Sequence, residues 1–427
     1  MYELITPAHD DYDTARRVWN RAVDRRPAAI TRCSDAAGAA AALAHARSAN
    51  LEVAVRGGGH GFPGFATTEG GLVLDLGPMK TIEITGDVAT VGPGVRWGEL
   101  TDAAAPTGLA PVGGHVGGVG VAGLTLGGGN GWLGRSYGLA CDNLLSAEVL
   151  TASGEVVTAS PDDNPDLFWG LRGGGGNFGI VLQYTLRLRP VDQVIGGMIF
   201  YPLEEAPALL RTLAEWEAPR EASVLAAIMG APPFLPEPGR PVFLLAVCWL
   251  SGDRDLAWLR GLGTPLADLI GPTTFAALQH ANDGQDHPTP YRMRHHLGGP
   301  LTEPLIETLV EFGSAPPSPA TMILLAELGG AIAEVGPSET AYFHRTARWC
   351  LEIAAAWPGD APAAPHVTWA DDLWQATRDW SVGAEVNHLA EEGVRLAYGD
   401  NLPRLTELKR KWDPENIFHL NQNVSPT

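Results

Sequence analysis

The hexapeptide Arg56–Gly61, RGGGHG, constrains this chain more than any other stretch. It follows Leu51–Val55 (LEVAV), an apolar run that reads as a strand. Three consecutive glycines, Gly57, Gly58 and Gly59, remove every side chain where the backbone turns, and Gly61 follows. Such a turn lets several N–H groups converge on a diphosphate at close approach. Arg56 places a cation at the start of the turn. His60 is a bulky ring with no evident packing duty there. Read alone, it is either a loop histidine or a nucleophilic tether for whatever the turn cradles.

Glycine-rich stretches recur. The 52 glycines cluster at residues 56–64, 113–138 and 172–179. Aromatic, Asn and Arg residues interrupt these clusters at fixed points, which argues for backbone packed on a ligand rather than for a linker. The pattern GxGxxG occurs at Gly118–Gly123, Gly129–Gly134 and Gly174–Gly179. A dinucleotide Rossmann unit needs that pattern between a strand and its first helix. The run after Gly123, Leu-Thr-Leu-Gly-Gly-Gly, is a poor helix, since each glycine costs about 1 kcal/mol there. No Walker A loop and no GxSxG elbow occurs, which disfavours a P-loop enzyme and an α/β-hydrolase. Several glycine loops remain, with Asp142, Asn143 and Asn177 among them as polar partners. Together they suit a large, flat, diphosphate-bearing ligand, and a flavin dinucleotide meets that description.

The rest of the chain supplies a frame. A length of 427 residues implies two or three domains. No apolar run reaches the roughly eighteen residues of a membrane span, and no leader pattern opens the chain, so a cytoplasmic protein is expected. The net charge of −20 disfavours nucleic acid or an anionic membrane as partner. The four cysteines, Cys33, Cys141, Cys248 and Cys350, show no metal spacing and read as small buried hydrophobes, with no metal site expected. Residues 35–50 read as a capped helix, 81–85 with 88–91 and 145–152 with 155–159 as hairpins, and 180–188 as a strand. From Gly196 the texture changes to strands (224–229, 242–250), helices (203–219, 253–262, 302–312) and proline-rich connectors. Residues 321–335 read as a longer strand or hairpin, and 402–411 as an amphipathic helix stopped by Asp413-Pro414.

These motifs, taken in order, resemble the berberine-bridge-enzyme-like flavoproteins of the vanillyl-alcohol-oxidase / p-cresol-methylhydroxylase superfamily. The matching pieces are RGGGHG, Val119–Glu155, Asp166–Val181, Ala341–Arg345 (AYFHR) and Tyr398–Val424. The resemblance implies an α+β fold. A split FAD-binding domain of the p-cresol-methylhydroxylase type, residues 1–190 and 371–427, would carry an inserted α/β substrate domain, 191–370, with an antiparallel sheet. It implies FAD bound covalently through His60. Expected cofactor contacts are Arg56, Gly57, Gly58, Gly59, Gly61, Val119, Gly120, Gly123, Leu124, Thr125, Gly128, Gly129, Asp142, Asn143, Asn177, Gly179, Val181, Asn421 and Asn423. Members with a second tether carry a cysteine where this chain has Val116, so a single link is expected, and Cys141 lies too far along the chain to replace it. His115, beside Val116, is read as loop structure.

The same resemblance implies a flavin-dependent oxidoreductase acting on a small organic substrate: an alcohol, amine, sugar or polycyclic metabolite. Val119, smaller than leucine, tilts the expected electron acceptor to O2, giving H2O2; a dehydrogenase with another acceptor and a flavin-binding protein of decayed activity stay open. Where the family carries an active-site tyrosine, this chain has Glu385, in Glu385-Val386-Asn387-His388. Read as a strand, Glu385 and Asn387 share a face and His388 points away. Glu385 is the expected base, or else an exposed ion-paired carboxylate. Tyr291 in the run YRMRHH is a second candidate, although such a run commonly forms a charged solvent face.

Overall fold

A computed structural model describes residues 2–250, 256–281, 283 and 287–427. Among them the chain forms three sheets. In the first, the strands run in the order Tyr2–Ile5, Ala29–Cys33, Leu72–Asp75, Val53–Arg56, the last three parallel. Helix Ala36–Ser48 crosses over between Ala29–Cys33 and Val53–Arg56, its N-terminus capped by the Asp35 carboxylate accepting from Gly38 N at 2.6 Å. The strand that launches the RGGGHG turn is therefore Val53–Arg56, at the sheet edge, and Arg56 pairs in register with Asp75.

The second sheet is antiparallel, ordered Ile82–Thr85, Val88–Val91, Ile180–Arg189, Leu144–Leu150, Val156–Ala159, with Ala110–Pro111 beside the third strand. Both expected hairpins are present. Ile180–Arg189 alternates buried and half-buried residues along much of its length, the mark of a strand with one face on the core.

The third sheet has nine antiparallel strands. Helices Ala206–Glu215, Glu303–Ser314 and Ala363–Ala376 bury their apolar stripes on one face. The other face packs on Trp132, Leu133, Leu139 and Tyr342. Residues 253–255 of the helix expected at 253–262 lie outside the described residues, and Leu256–Arg260 is helical.

The tail returns to the first half of the chain. Val386, Tyr398, Leu405, Leu408 and Val424 share one core with Val91, Trp97, Val149 and Phe178. Helix Leu402–Trp412 buries Lys409 completely. Its ammonium donates to Asn177 O at 2.8 Å, Phe418 O at 2.9 Å and the buried Asp413 carboxylate at 2.7 Å. Asp413 accepts in addition from Ile417 N and Phe418 N, both at 2.8 Å. Among the described residues no helix is long and apolar enough to cross a membrane.

Four expectations need correction. Val121–Leu126 is helical: the helix is only six residues long and stops before Gly127, so only Gly123 of that glycine run carries the helical penalty. Residues 321–335 split into strand Met322–Glu327 and helix Ala331–Glu334, because Gly329 and Gly330 take left-handed backbone that breaks the strand. Tyr291–Gly298 is an inner strand of the third sheet with Arg294, His295 and His296 buried, rather than a solvent face. Val386–His388 is a single 3-10 turn, not a strand. A 3-10 turn eclipses residues three apart. It thus brings His388 beside Glu385 and turns Asn387 elsewhere.

Candidate active site

The RGGGHG turn lies directly against the loop that precedes helix Val121–Leu126. A Cβ on Gly58 would fall 2.8 Å from Gly120 Cα, and one on Gly57 2.8 Å from Pro93 O. Two backbones meet here without side chains between them. Gly59 takes the left-handed region at φ +68°, and Gly61 and Gly123 have open space on their Cβ side. Arg56 is no unbalanced cation: Asp75 Oδ2 accepts from its Nη2 at 2.8 Å, while buried Nη1 keeps no protein partner. The remaining cluster, 172–179, joins the same region, since Gly173 N and Gly175 N donate to Leu126 O at 3.1 and 2.9 Å.

The other expected cofactor residues fall into two groups. Asp142, Asn143 and Asn177 have their side chains engaged by the framework. Arg345, fully buried, grips Asp142 with two bonds of 2.7 and 2.8 Å. Asn143 donates to Tyr137 O and Leu139 O and accepts from Arg189. Asn177 donates to Gly174 O and Gln422 O and accepts from Val424 N, tying the third glycine loop to the tail. Thr125 spends its hydroxyl on Val121 O at 2.7 Å. Leu124 packs on Gly114 and Gly129, Gly128 on the Tyr342 ring, and Gly179 on Val149, while Val181 is buried. By contrast, Asn421 Oδ1 and Asn423 Oδ1 are buried acceptors without a protein partner. Buried polar atoms rarely stay unpaired. These two, with Arg56 Nη1 and the bare glycine backbones, are what a polar dinucleotide would satisfy, so the residues present fit FAD.

His60 stacks on Trp19, ring centres 4.2 Å apart, and Trp19 stacks in turn on Tyr291 at 4.6 Å. Phe62 meets Trp19, His60 and Tyr291 edge-on and lies over His388 at 5.9 Å. His388 stacks on His295 at 4.7 Å, nearly parallel. A band of rings therefore runs from the glycine turn to Glu385. The two candidate bases, Tyr291 and Glu385, sit at different points of it, with Phe62 and His388 between them.

Glu385 is buried at the centre of a titratable cluster. Tyr342 donates to its Oε1 at 3.3 Å; Oε2 lies 3.4 Å from His388 Nδ1 and 3.8 Å from His295 Nε2. Glu352 lies 3.8 Å from the far nitrogen of His388. Burial alone would lower the His388 pKa, but the Glu352 and Glu385 carboxylates outweigh it and raise the value. Burial raises Glu352 and Tyr342, Glu385 adding to both, and drives His295 well below the usual imidazole range. His115, against Trp132, is pushed down to about 4 by burial. Asn387 donates to Leu124 O at 3.1 Å and abuts Gly127, so it pins the Glu385–His388 turn to the glycine loop.

His295, Cys350 and Glu385 bring their ligand atoms within 4.8 Å of one another, a trio no spacing in the chain announces. The backbone N–H of Glu385 donates to His295 Nδ1 at 3.3 Å. In a neutral ring this places the proton on Nε2, which faces Cys350 Sγ at 3.1 Å. The trio is thus arranged as donor and acceptors rather than as three lone pairs. All four cysteines are buried free thiols, and burial raises those of Cys33 and Cys248 to about 11 and about 12.

Beyond the paired histidines opens a cavity of about 340 Å³ lined by His295, His388, Trp374, Arg378, Ser381 and Glu392 among others. His295, Tyr342, Glu352 and Trp19 are not singled out by the sequence, and His388, expected to point away, sits beside Glu385. Tyr342 lay within the family segment AYFHR, and the alternation of YRMRHH carried the signal for His295.

Fold and site together define a flavin-binding oxidoreductase. Residues 27–160 match the family model described as FAD binding domain, and 387–425 the model described as berberine and berberine like. The (R)-6-hydroxynicotine oxidase of Paenarthrobacter nicotinovorans is 32% identical over 99% of this chain and 96% of its own. The crystal structure of 6-hydroxy-D-nicotine oxidase from Arthrobacter nicotinovorans superposes with a TM-score of 0.90 at 31% identity, covering 100% of this chain and 98% of that one. Glucooligosaccharide oxidase from Acremonium strictum, a protein with 6-S-cysteinyl, 8α-N1-histidyl FAD, shares the fold with a TM-score of 0.89 at 24% identity, covering 100% of this chain and 97% of that one. The chain belongs to the berberine-bridge-enzyme-like family of FAD-linked oxidoreductases, and it is an FAD-dependent enzyme.

Proposed function

We propose that this enzyme is an oxidase of small cyclic or bicyclic amines, with FAD attached through His60 alone and O2 as the acceptor. The observation that carries the reading is the buried Glu385 carboxylate, with half-buried His388 and Glu352 beside it. A carboxylate in that position pairs with a protonated amine and takes its proton, which a neutral sugar does not offer. The size class follows the relative at 32% identity, which is named for 6-hydroxynicotine, over the oligosaccharide oxidases at 23–24%. The division into residues 1–190 with 371–427, and 191–370, belongs to the same proposal and rests on the shared core of the tail and first half.

FAD, when bound, supplies the two-electron acceptor. The chain's own residues do the rest. Glu385 takes the ammonium proton on Oε2 and frees the nitrogen lone pair. Tyr342 holds Oε1 and fixes the plane of the carboxylate. Phe62 and His295, stacked around His388, keep water from Glu385. Arg56, the glycine backbones, Asn421 and Asn423 hold the cofactor. Val116 offers no thiol, and Val119, in the turn facing Gly58, leaves room for oxygen.

The test is anaerobic mixing with amines, alcohols and oligosaccharides, read by loss of flavin colour, followed by admission of air. Small amines are expected to bleach the flavin and air to restore it within seconds. Bleaching by oligosaccharides only would sink the amine reading, and recovery over minutes would sink the oxidase one. Acid-precipitated protein is expected to stay yellow, with His60→Ala giving a colourless pellet; flavin on another residue in a peptide map would overturn the link.

A further inference from the structure

Trp19 and Asn20 stand outside every motif considered so far, yet they join the two halves of the site. The Trp19 indole is sandwiched between the His60 and Tyr291 rings, inclined by 23° to one and 22° to the other. Its backbone N–H donates to Gly59 O at 3.0 Å, the residue before the histidine. Asn20 is buried and holds two other stretches of chain at once. Its amide donates to Phe62 O at 2.8 Å and to Tyr291 O at 3.2 Å, and its carbonyl accepts from Tyr291 N at 3.0 Å. The side chain thus imitates a β-bridge to the first residue of strand Tyr291–Gly298. Arg21 N donates to Thr289 O at 3.0 Å and Arg25 reaches Gly64 O at 2.9 Å, so the whole segment wraps the glycine turn.

Gly59 and Gly61, on either side of His60, contribute no side chain to fix the plane of its ring, whose χ1 and χ2 have several staggered wells. A flat indole against one face removes that freedom and leaves the ring nitrogens at the edge. We propose that Trp19 is a positioning residue that holds the His60 imidazole for bond formation to the flavin, and that Asn20 ties this ring to the Tyr291 end of the substrate sheet. The inference rests on the His60 link proposed above. In the bond-forming reaction one N–C bond forms, the methyl group and the imidazole each lose a proton, and the two electrons released pass to the flavin and then to O2, giving H2O2. Holding a reactant in its attacking orientation is a large part of any such rate.

The experiment compares wild type, Trp19→Phe, Trp19→Leu and His60→Ala, all incubated aerobically with added FAD. Flavin in the acid pellet is followed over time against total bound flavin, with a thermal melt for each. Trp19→Phe keeps a stacking ring and is expected to couple within about threefold of wild type. Trp19→Leu keeps apolar volume without a flat face and is expected to bind FAD but couple at least tenfold more slowly. Wild-type coupling by Trp19→Leu would overturn the proposal, and so would equal failure of Phe and Leu, since stacking would then not be the cause. A wild-type pellet without colour would instead strike at the His60 link itself.

Discussion

Glu385→Gln is expected to slow flavin reduction by about 10²- to 10⁴-fold with the true substrate, the range for loss of a positioned general base. Bound FAD and the acid-stable colour should be unchanged, because the side chain touches Tyr342, His388 and His295 and none of the glycine loops. Glutamine keeps the size and the acceptor toward Tyr342 but cannot take a proton. Stopped-flow reduction under anaerobic conditions reads the step directly. Tyr342→Phe removes only the bond that orients the carboxylate and should cost far less, about tenfold. If Glu385→Gln reduces at the wild-type rate, the base is elsewhere, and Tyr291 is next in line.

The second large effect lies far from the chemistry. Asp413→Ala is expected to destabilise the protein by about 3–5 kcal/mol, the usual result of leaving a buried partner charge alone. Lys409 would keep its two carbonyl acceptors, Asn177 O and Phe418 O, but lose its counter-ion in a fully buried position. Burial already lowers the Lys409 pKa in the intact pair. Thermal or urea melts, with flavin fluorescence as a second signal, would register the loss. Adding Lys409→Met should recover part of it and not all, since Ile417 N and Phe418 N would still lack the carboxylate. Full recovery would show that the backbone bonds to Asp413 contribute little. The same lesion should loosen flavin retention, because Lys409 links the loop at Asn177 to the tail that carries Asn421 and Asn423.

The parts legible in the chain were those whose demands are local. Three glycines before a histidine announce a turn wherever they fold, and the hairpins about Gly86 and Gly154 carry their left-handed residue in place. Helix Leu402–Trp412 declares itself by periodicity. The parts that were not legible depend on partners. Whether Glu385-Val386-Asn387-His388 extends or coils is decided by the packing of Val386 and by Asn387 reaching Leu124, neither visible in four letters. The face shared by Glu385 and His388 is consequently the opposite of the one a strand predicts. Asp142 and Asn177 are polar residues in glycine-rich loops and so look like ligand contacts. Only the approach of Arg345 and of the tail shows that their side chains serve the frame. His295 meets Glu352 through register across two strands some sixty residues apart, a pairing that alternation permits but does not name.

The short strand Ser381–Gly383 closes the edge of the nine-stranded sheet, and within a few residues the chain supplies Glu385 and then the core of the other half. This makes the enzyme less modular than its sequence suggests. A chimera that exchanged residues 191–370 for the equivalent stretch of a relative would inherit a foreign sheet whose last strand still came from the host. The edge pairing of Leu297 with Gly383 would then be made between unmatched partners, two residues from the carboxylate proposed as the base. Recombination that respects the sheet has to carry the boundary past Gly383, and specificity and base would then travel together.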